Sequence, residues 1–342
     1  MRAIVQDRYG NPDVVLSLRD VDTPEPGPDE VLVRVHAASV HPDVWHVVTG
    51  FPRVLRLMGS GLKRPKQPIP GSDMAGVVEA VGAAVTRFRP GDAVFGETHR
   101  NMQWVNGGTF AEYVCAPEDV LARKPDGITF EQAAAVPTAG MIAVNNLRQR
   151  LWDQPGQRVL VNGAAGGVGS IAVQLAKARG AVVTGVDHTA RQELMRTLGA
   201  DAVVDYTEED ITRRSERYDL IVDVASTLSL SGCKRIFSPQ GAYVIIGHDH
   251  YGTKGRRTFG SIPLMLGLML RAPFDRHLPS PGFDGMDKQK DMQILRDLLE
   301  AGQLTPVIDR LFPLEEAPQA LAYLQSGQAC GRIVIDCLSG AR

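Results

Sequence analysis

The sequence predicts an α/β protein made of a β-rich unit and a doubly wound parallel sheet. Three observations predict it. Residues 1–124 are short alternating apolar runs cut by Gly and Pro. From about Asp126 to Asp275, apolar strands alternate with helix-length segments, the pattern of parallel strands joined by right-handed crossovers. The terminal run Arg332-Ile333-Val334-Ile335 reads again as a strand, which suggests that the C-terminus returns to the first sheet.

In order along the chain, the first unit contains Glu30-Val31-Leu32-Val33-Arg34-Val35 and Ala75-Gly76-Val77-Val78-Glu79-Ala80-Val81 as strands, while Pro24-Glu25-Pro26-Gly27-Pro28 excludes helix and central strand. The second unit opens with strand Arg158-Val159-Leu160-Val161. A helix follows whose Val168, Ile171, Ala172, Leu175 and Ala176 keep the spacing of one face. Strand Ala181–Val186 comes next, then a short helix with Leu194, Met195 and Leu198, and strands Leu220-Ile221-Val222 and Tyr243-Val244-Ile245-Ile246. The run Ile262–Leu270 is too short to span a bilayer and reads as a core helix, or as an apolar wall shared by a pocket and a dimer contact. The last sixty residues hold a helix with Met292, Leu295 and Leu299 on one stripe, a helix over 316–325, and the closing strand. The expected boundaries are 1–124 with 285–342 for the β-rich unit and 125–284 for the parallel-sheet unit.

Composition narrows the function. With 342 residues, 44% hydrophobic and 22% charged, the chain can bury a sizeable core. A formal net charge of -2 supplies no global field for nucleic acid or an acidic membrane, and no apolar run approaches the ~20 residues of a membrane span. The basic stretch Lys63-Arg64-Pro65-Lys66 reads as a solvated loop. A small-molecule partner is expected, with neither nucleic acid nor membrane as partner. The first residues lack the apolar core of a secretory signal, which implies the cytoplasm. Cys115, Cys233, Cys330 and Cys337 form no C-x-x-C pair, so neither a zinc knuckle nor a redox dithiol is written here.

Asn162-Gly163-Ala164-Ala165-Gly166-Gly167-Val168-Gly169 lies between a predicted strand and a predicted helix, the context of a dinucleotide-binding turn. Glycines allow a tight turn and close approach to a pyrophosphate, and the helix directs its free N–H groups at the anion. The plain alternative is a flexible glycine-rich loop. Asp187, eighteen residues after Gly169 at the end of the second strand, suits the adenosine ribose hydroxyls and favours NAD(H) over NADP(H). Arg191 could instead pair a 2′-phosphate, and Asp187 could be a helix N-cap.

These residues, with Pro70–Gly82, Arg89-Pro90-Gly91-Asp92-Ala93-Val94-Phe95-Gly96, Gly108-Thr109-Phe110-Ala111-Glu112-Tyr113, Leu198-Gly199-Ala200-Asp201 and Gly331-Arg332-Ile333-Val334, resemble the medium-chain dehydrogenase/reductase superfamily, in its zinc-free quinone oxidoreductase-like branch. The resemblance spans essentially the whole chain. It implies a GroES-like β-rich catalytic domain from both chain ends, a Rossmann domain between them, a cleft where they meet, an NAD(P)H cofactor and often a homodimer. Metal-dependent members carry Gly-His-Glu where this chain has Gly71-Ser72-Asp73. They carry Cys where it has His41, and a further Cys ligand looks replaced by Thr138. Two remaining candidate ligands fall short of the three that catalytic zinc needs, so no zinc is expected.

Without a Lewis acid, alcohol oxidation loses its alkoxide stabiliser, whereas reduction of a quinone, enone or enal needs mainly orientation and polar groups for the developing oxyanion. An alcohol dehydrogenase or carbonyl reductase, and a cofactor-binding protein of structural or regulatory role, are the alternatives. The resemblance places Ser39–His46 along the cleft. His41 and His46 could donate a hydrogen bond or a proton, with Asp43 between them, or be ordinary structural histidines. Ser72 and Asp73 read as structural heirs of the lost metal site, hydrogen-bonding to His41 or capping backbone donors. Thr138 could contact the nicotinamide or simply follow Pro137 in a turn. Arg332 could pair a cofactor phosphate or face solvent, and Gly247 sits where relatives hold the carboxamide. His248 and His250 alternate around Asp249 without a third ligand, as in a solvated loop.

Overall fold

In the computed structural model, residues 1–100, 105–151, 155–246, 258–278 and 287–339 are described. They group into two compact units: the described residues within 1–141, 258–259 and 287–339 belong to the first, those within 142–246 and 260–278 to the second.

The first unit is built on a seven-stranded sheet. Its long strand Glu30–Val40 pairs antiparallel with Asp73–Val81, with Tyr113–Pro117 and, at its far end, with the closing strand Arg332–Asp336 through Ile333↔Val40 to Asp336↔Ala37. The chain's end therefore returns to its beginning. Val31, Val33, Val35, Met74, Phe110, Leu121, Ile333 and Ile335 form the core between these strands. Helix Pro42–Thr49 starts where Pro42, which has no N–H to lose, follows the extended His41, and it stops at Gly50 in the left-handed conformation. Helix Phe130–Ala134 starts in a capping box in which Thr129 and Gln132 satisfy each other's backbone N–H groups.

The second unit is a five-stranded parallel sheet in the order Ala202–Asp205, Val182–Asp187, Arg158–Asn162, Tyr218–Asp223, Phe237–Ile245. The order reverses at Arg158–Asn162, the first strand of the unit. In such sheets ligands bind beyond the carboxyl ends of the strands at this switch point. Val159, Leu160 and Val161 are fully buried, as strands covered on both faces require.

The run expected as a core helix forms helix Ile262–Arg271, yet none of its residues is buried. Its hydrophobicity foretold a helix but not a partner for every face. Leu264, Leu268 and Arg271 line a cavity of about 350 Å³ with Leu228, Leu230 and Tyr243, while Leu266 and Leu270 face outward. The four cysteines are free, and burial pushes the Cys115 thiol up to about 11 and the Cys233 thiol up to about 12, so neither is a ready thiolate.

Candidate active site

In the second unit the strand Arg158–Asn162 runs directly into the glycine turn, and helix Gly167–Ala178 follows. Gly163 has φ +81, a conformation that side-chain-bearing residues rarely adopt. A Cβ on Gly169 would lie 2.0 Å from the Gly163 carbonyl oxygen, so the helix can approach the turn only with glycine there. At Gly166 a Cβ would meet nothing closer than 3.3 Å, and Gly166 caps the helix with no side-chain acceptor. Gly166 thus puts no capping side chain over the first N–H groups of the helix and leaves a cradle that a Cβ would fill. Ala164 and Gly167, with Val168 as the second helical residue, complete the expected turn. These residues fit the pyrophosphate of a dinucleotide.

Asp187 ends its strand as expected and is nearly fully buried. Its Oδ2 accepts from the Ala165 N–H at 2.9 Å, and its Oδ1 accepts from the His188 N–H at 2.9 Å and from Arg191 Nη1 at 3.1 Å. The carboxylate and Arg191 are therefore brought together, and the carboxylate also braces the turn. Asp223, for which the sequence suggested no role, anchors the same end of the sheet. It is fully buried and accepts from Asn162 Nδ2 at 2.6 Å, from the Leu228 N–H at 2.9 Å and from Tyr243 Oη at 2.9 Å. A carboxylate closing the apolar run Leu220-Ile221-Val222 was the available signal. Gly247, His248 and His250 lie outside the described residues.

In the first unit His41 is buried, with its Nε2 3.0 Å from Ser72 Oγ, the contact suggested for that serine. Among the described residues its Nδ1 has no hydrogen-bond partner, and Asp43 Oδ2 is 3.8 Å away. Burial above all, with the Arg332 cation second, lowers the His41 pKa to about 3. The imidazole is therefore neutral at physiological pH and donates or accepts hydrogen bonds without acting as an acid. Crowding by protein pushes the Asp43 carboxyl up, to about 7, reinforced by the Glu97 and Asp73 carboxylates and opposed by Arg332. Yet 41% of its side chain is open, and solvent screens the rise, so its direction rather than its size matters chemically. His46, buried on the same helix, has its Nδ1 2.7 Å from the Phe51 carbonyl oxygen just beyond the helix's end.

Arg332, read as pairing a cofactor phosphate or facing solvent, is buried against a carboxylate. Its Nη2 donates to Asp73 Oδ2 at 2.9 Å and to Ser39 Oγ at 2.7 Å. Thr138, the second residue of helix Pro137–Leu151, has its Oγ1 2.5 Å from Asp73 Oδ1 and 2.7 Å from Glu97 Oε1. One hydroxyl has one proton, so the second of these contacts needs a proton on a carboxyl. Burial pushes Asp73 upward against the pull of Arg332 and of its hydrogen bonds. Glu97 in turn pairs with Lys288. Neither Glu97 nor Lys288 carried a sequence signal, being 191 positions apart. Among the described residues no three His, Cys, Asp or Glu side chains converge as metal ligands would.

Comparison with known proteins agrees with both halves. Residues 27–126 match the alcohol dehydrogenase GroES-like domain, and residues 198–335 match the family model described as zinc-binding dehydrogenase. The chain is 31% identical to a chloroplastic quinone-oxidoreductase of Triphysaria versicolor, over 98% of each. It is 32% identical to the chloroplastic NADPH-dependent alkenal/one oxidoreductase of Arabidopsis thaliana, over 98% of this chain and 79% of that one. The solved quinone oxidoreductase of Coxiella burnetii superposes with a TM-score of 0.79 at 28% identity, over 98% of this chain and 99% of that one. On these matches, and with a glycine turn and a GroES-like sheet in the expected places, the chain belongs to the medium-chain dehydrogenase/reductase superfamily, in its quinone oxidoreductase-like branch.

Proposed function

We propose that this chain is a zinc-independent oxidoreductase that uses NAD(P)H to reduce quinones or activated C=C bonds of enones and enals. The observation that carries the cofactor half is the turn itself, in which Gly163 and Gly169 close the backbone and Gly166 leaves room at the helix N-terminus. Gly163, Ala164, Gly166, Gly167, Val168 and Gly169 would hold the pyrophosphate, and Asp187 with Arg191 the ribose end. When bound, the nicotinamide supplies a hydride. The activities the relatives are named for, quinone and alkenal/one reduction, support the acceptor class.

The donor chemistry of the first unit supports independence from zinc. The positions that carry metal ligands in metal-dependent relatives hold one imidazole and two hydroxyls here. Ser72 is bonded to His41, and Thr138 lies between two carboxylates. A guanidinium within bonding distance of Asp73 also repels a dication. What remains suits an acceptor that is already activated. The neutral His41 donates a hydrogen bond to the developing oxyanion, and the Asp43 carboxyl, shifted toward its protonated form, returns a proton. Arg332 keeps Asp73 in place and is a positioning residue. The outward-facing Leu266 and Leu270 support the expectation of a homodimer.

Steady-state kinetics of chelator-treated protein test this reading. Oxidation of NADH or NADPH by quinones and enones should survive chelation, and simple alcohols should not be oxidised; robust alcohol turnover or loss of activity on chelation would sink it. NAD(H) is the favoured form because Asp187 repels a 2′-phosphate, while Arg191 partly offsets that charge. Asp187→Ser should raise the NADPH-to-NADH ratio of kcat/KM about tenfold, the equivalent of ~1.4 kcal/mol. An unchanged ratio would remove Asp187 from the ribose.

A further inference from the structure

Between Asp43 and Asp73 the chain contains no carboxylate but five cations: Arg53, Arg56, Lys63, Arg64 and Lys66. Over the same stretch it leaves three large apolar side chains in solvent, Leu57 at 73% exposure, Met58 at 54% and Leu62 at 68%. An exposed apolar cluster flanked by one sign of charge is unlike the scattered surface leucines of ordinary proteins. The chain's net charge of -2 hides it, because the charge is local.

The segment is held in shape. The 3-10 turn Arg53–Arg56 anchors through the buried Leu55, and Leu57 and Met58 follow in the same winding by donating to the Val54 and Leu55 carbonyls at 3.0 Å. Tyr9 Oη donates to the Gly61 carbonyl at 2.6 Å, and the Lys66 N–H donates to the Ser60 carbonyl at 2.9 Å. Arg56 is committed inward, with its guanidinium 4.4 Å from the centre of the Tyr9 ring and its Nε donating to the Gly50 carbonyl. Arg53, Lys63, Arg64 and Lys66 are exposed. The nearby carboxylate that Arg64 influences, Asp7, is already paired with Arg19. The backbone that carries Leu57 and Met58 is thus held with those side chains and Leu62 in solvent, and exposed cations of the same segment remain for an external anion.

We propose that residues 53–66 form a docking surface for an anionic lipid bilayer, with Leu57, Met58 and Leu62 entering the headgroup region while Lys63, Arg64 and Lys66 meet the phosphates. Charge complementarity selects an anionic surface, and the apolar trio selects a lipid one over other polyanions, since buried apolar area plus electrostatic attraction governs interfacial binding. This is attachment at a surface; among the described residues no helix is long and apolar enough to cross a membrane.

Co-sedimentation of the purified full chain with vesicles tests it. The chain should sediment with a roughly 3:1 mixture of phosphatidylcholine and phosphatidylserine at low salt, and not with phosphatidylcholine alone. Each cation near such a surface is worth roughly a fivefold change in partitioning, so Lys63→Gln, Arg64→Gln and Lys66→Gln together should weaken it on the order of a hundredfold. These side chains are exposed, so the thermal midpoint should stay at the wild-type value. Leu57→Trp provides a reading that needs no loss of function: the emission of the introduced indole, taken as the difference from the wild type with its three tryptophans, should shift to the blue on adding the mixed vesicles. Absence of sedimentation at low salt, binding unchanged in the triple variant, or an indole emission in the Leu57→Trp protein that stays solvent-like would each overturn the proposal. Equal binding to a DNA duplex that ignores Leu57→Ser and Leu62→Ser would reassign the surface to polyanions in general and overturn it as well.

Discussion

His41 occupies the N-cap of helix Pro42–Thr49 without capping it, its imidazole turning to Ser72 instead. That choice buries a titratable ring, and burial dictates its pH behaviour. The folded-state pKa of about 3 lies below the ~6.5 of an unfolded histidine. Below pH ~6.5 the unfolded chain binds a proton that the folded chain refuses, so the stability tied to this residue is complete above that value. It is lost as pH falls toward the folded pKa, at about 1.4 kcal/mol per pH unit. Asp43, pushed upward, has the opposite sign, so the informative quantity is the difference between wild type and His41→Asn. Urea denaturation on either side of pH ~6.5 should show the wild type losing ground to His41→Asn as pH falls. Parallel pH dependences in the two proteins would mean that the imidazole is not buried in its neutral form.

At the scale of elements, the glycine turn separates two uses of one residue type. Gly169 permits packing, because any Cβ there would meet the Gly163 carbonyl oxygen at 2.0 Å and its carbon at 2.8 Å, neither of which can swing aside. Gly166 leaves space, its nearest neighbour for a Cβ being the Gly163 oxygen at 3.3 Å. Gly169→Ala should therefore destabilise the fold by about 3 kcal/mol, as overpacking does. Gly166→Ala should keep stability within about 1 kcal/mol and weaken NADH at least about tenfold. Thermal melts and fluorescence titration separate the two, and a Gly166→Ala protein that binds NADH like wild type would move the anion elsewhere. This turn was legible in the sequence because strand, glycines and helix are contiguous, and Asp187 stands a fixed step beyond. Helix Ile262–Arg271 was legible as a helix but not as an exposed one, because composition reports hydrophobicity and not which neighbour covers it. Glu97 and Lys288 were invisible for the opposite reason: each is an ordinary charge until the fold brings them together. Arg332 was visible as a residue but its carboxylate partner was not, lying 259 positions away.

At the scale of the molecule, that same pair ties the last strand of the chain to strand Asp73–Val81, with Glu30–Val40 between them in the sheet. Both partners are buried, so their attraction works against a large desolvation cost and the consequence of breaking the pair depends on which charge is left behind. Asp73→Asn strands a guanidinium that cannot lose its proton, and should cost about 3–5 kcal/mol. Arg332→Leu strands a carboxyl that can take up a proton, as burial already urges it to do. Its folded-state pKa then rises further above the unfolded value, so this variant should be least harmed at low pH and lose stability as pH rises through that range. The double variant should cost less than the sum of the two, because no unpaired charge survives in it. Denaturant titrations of the three variants at two pH values decide the matter. Additive losses, or an Arg332→Leu penalty that shrinks as pH rises, would mean that the ends of the chain are held by strand pairing and packing alone.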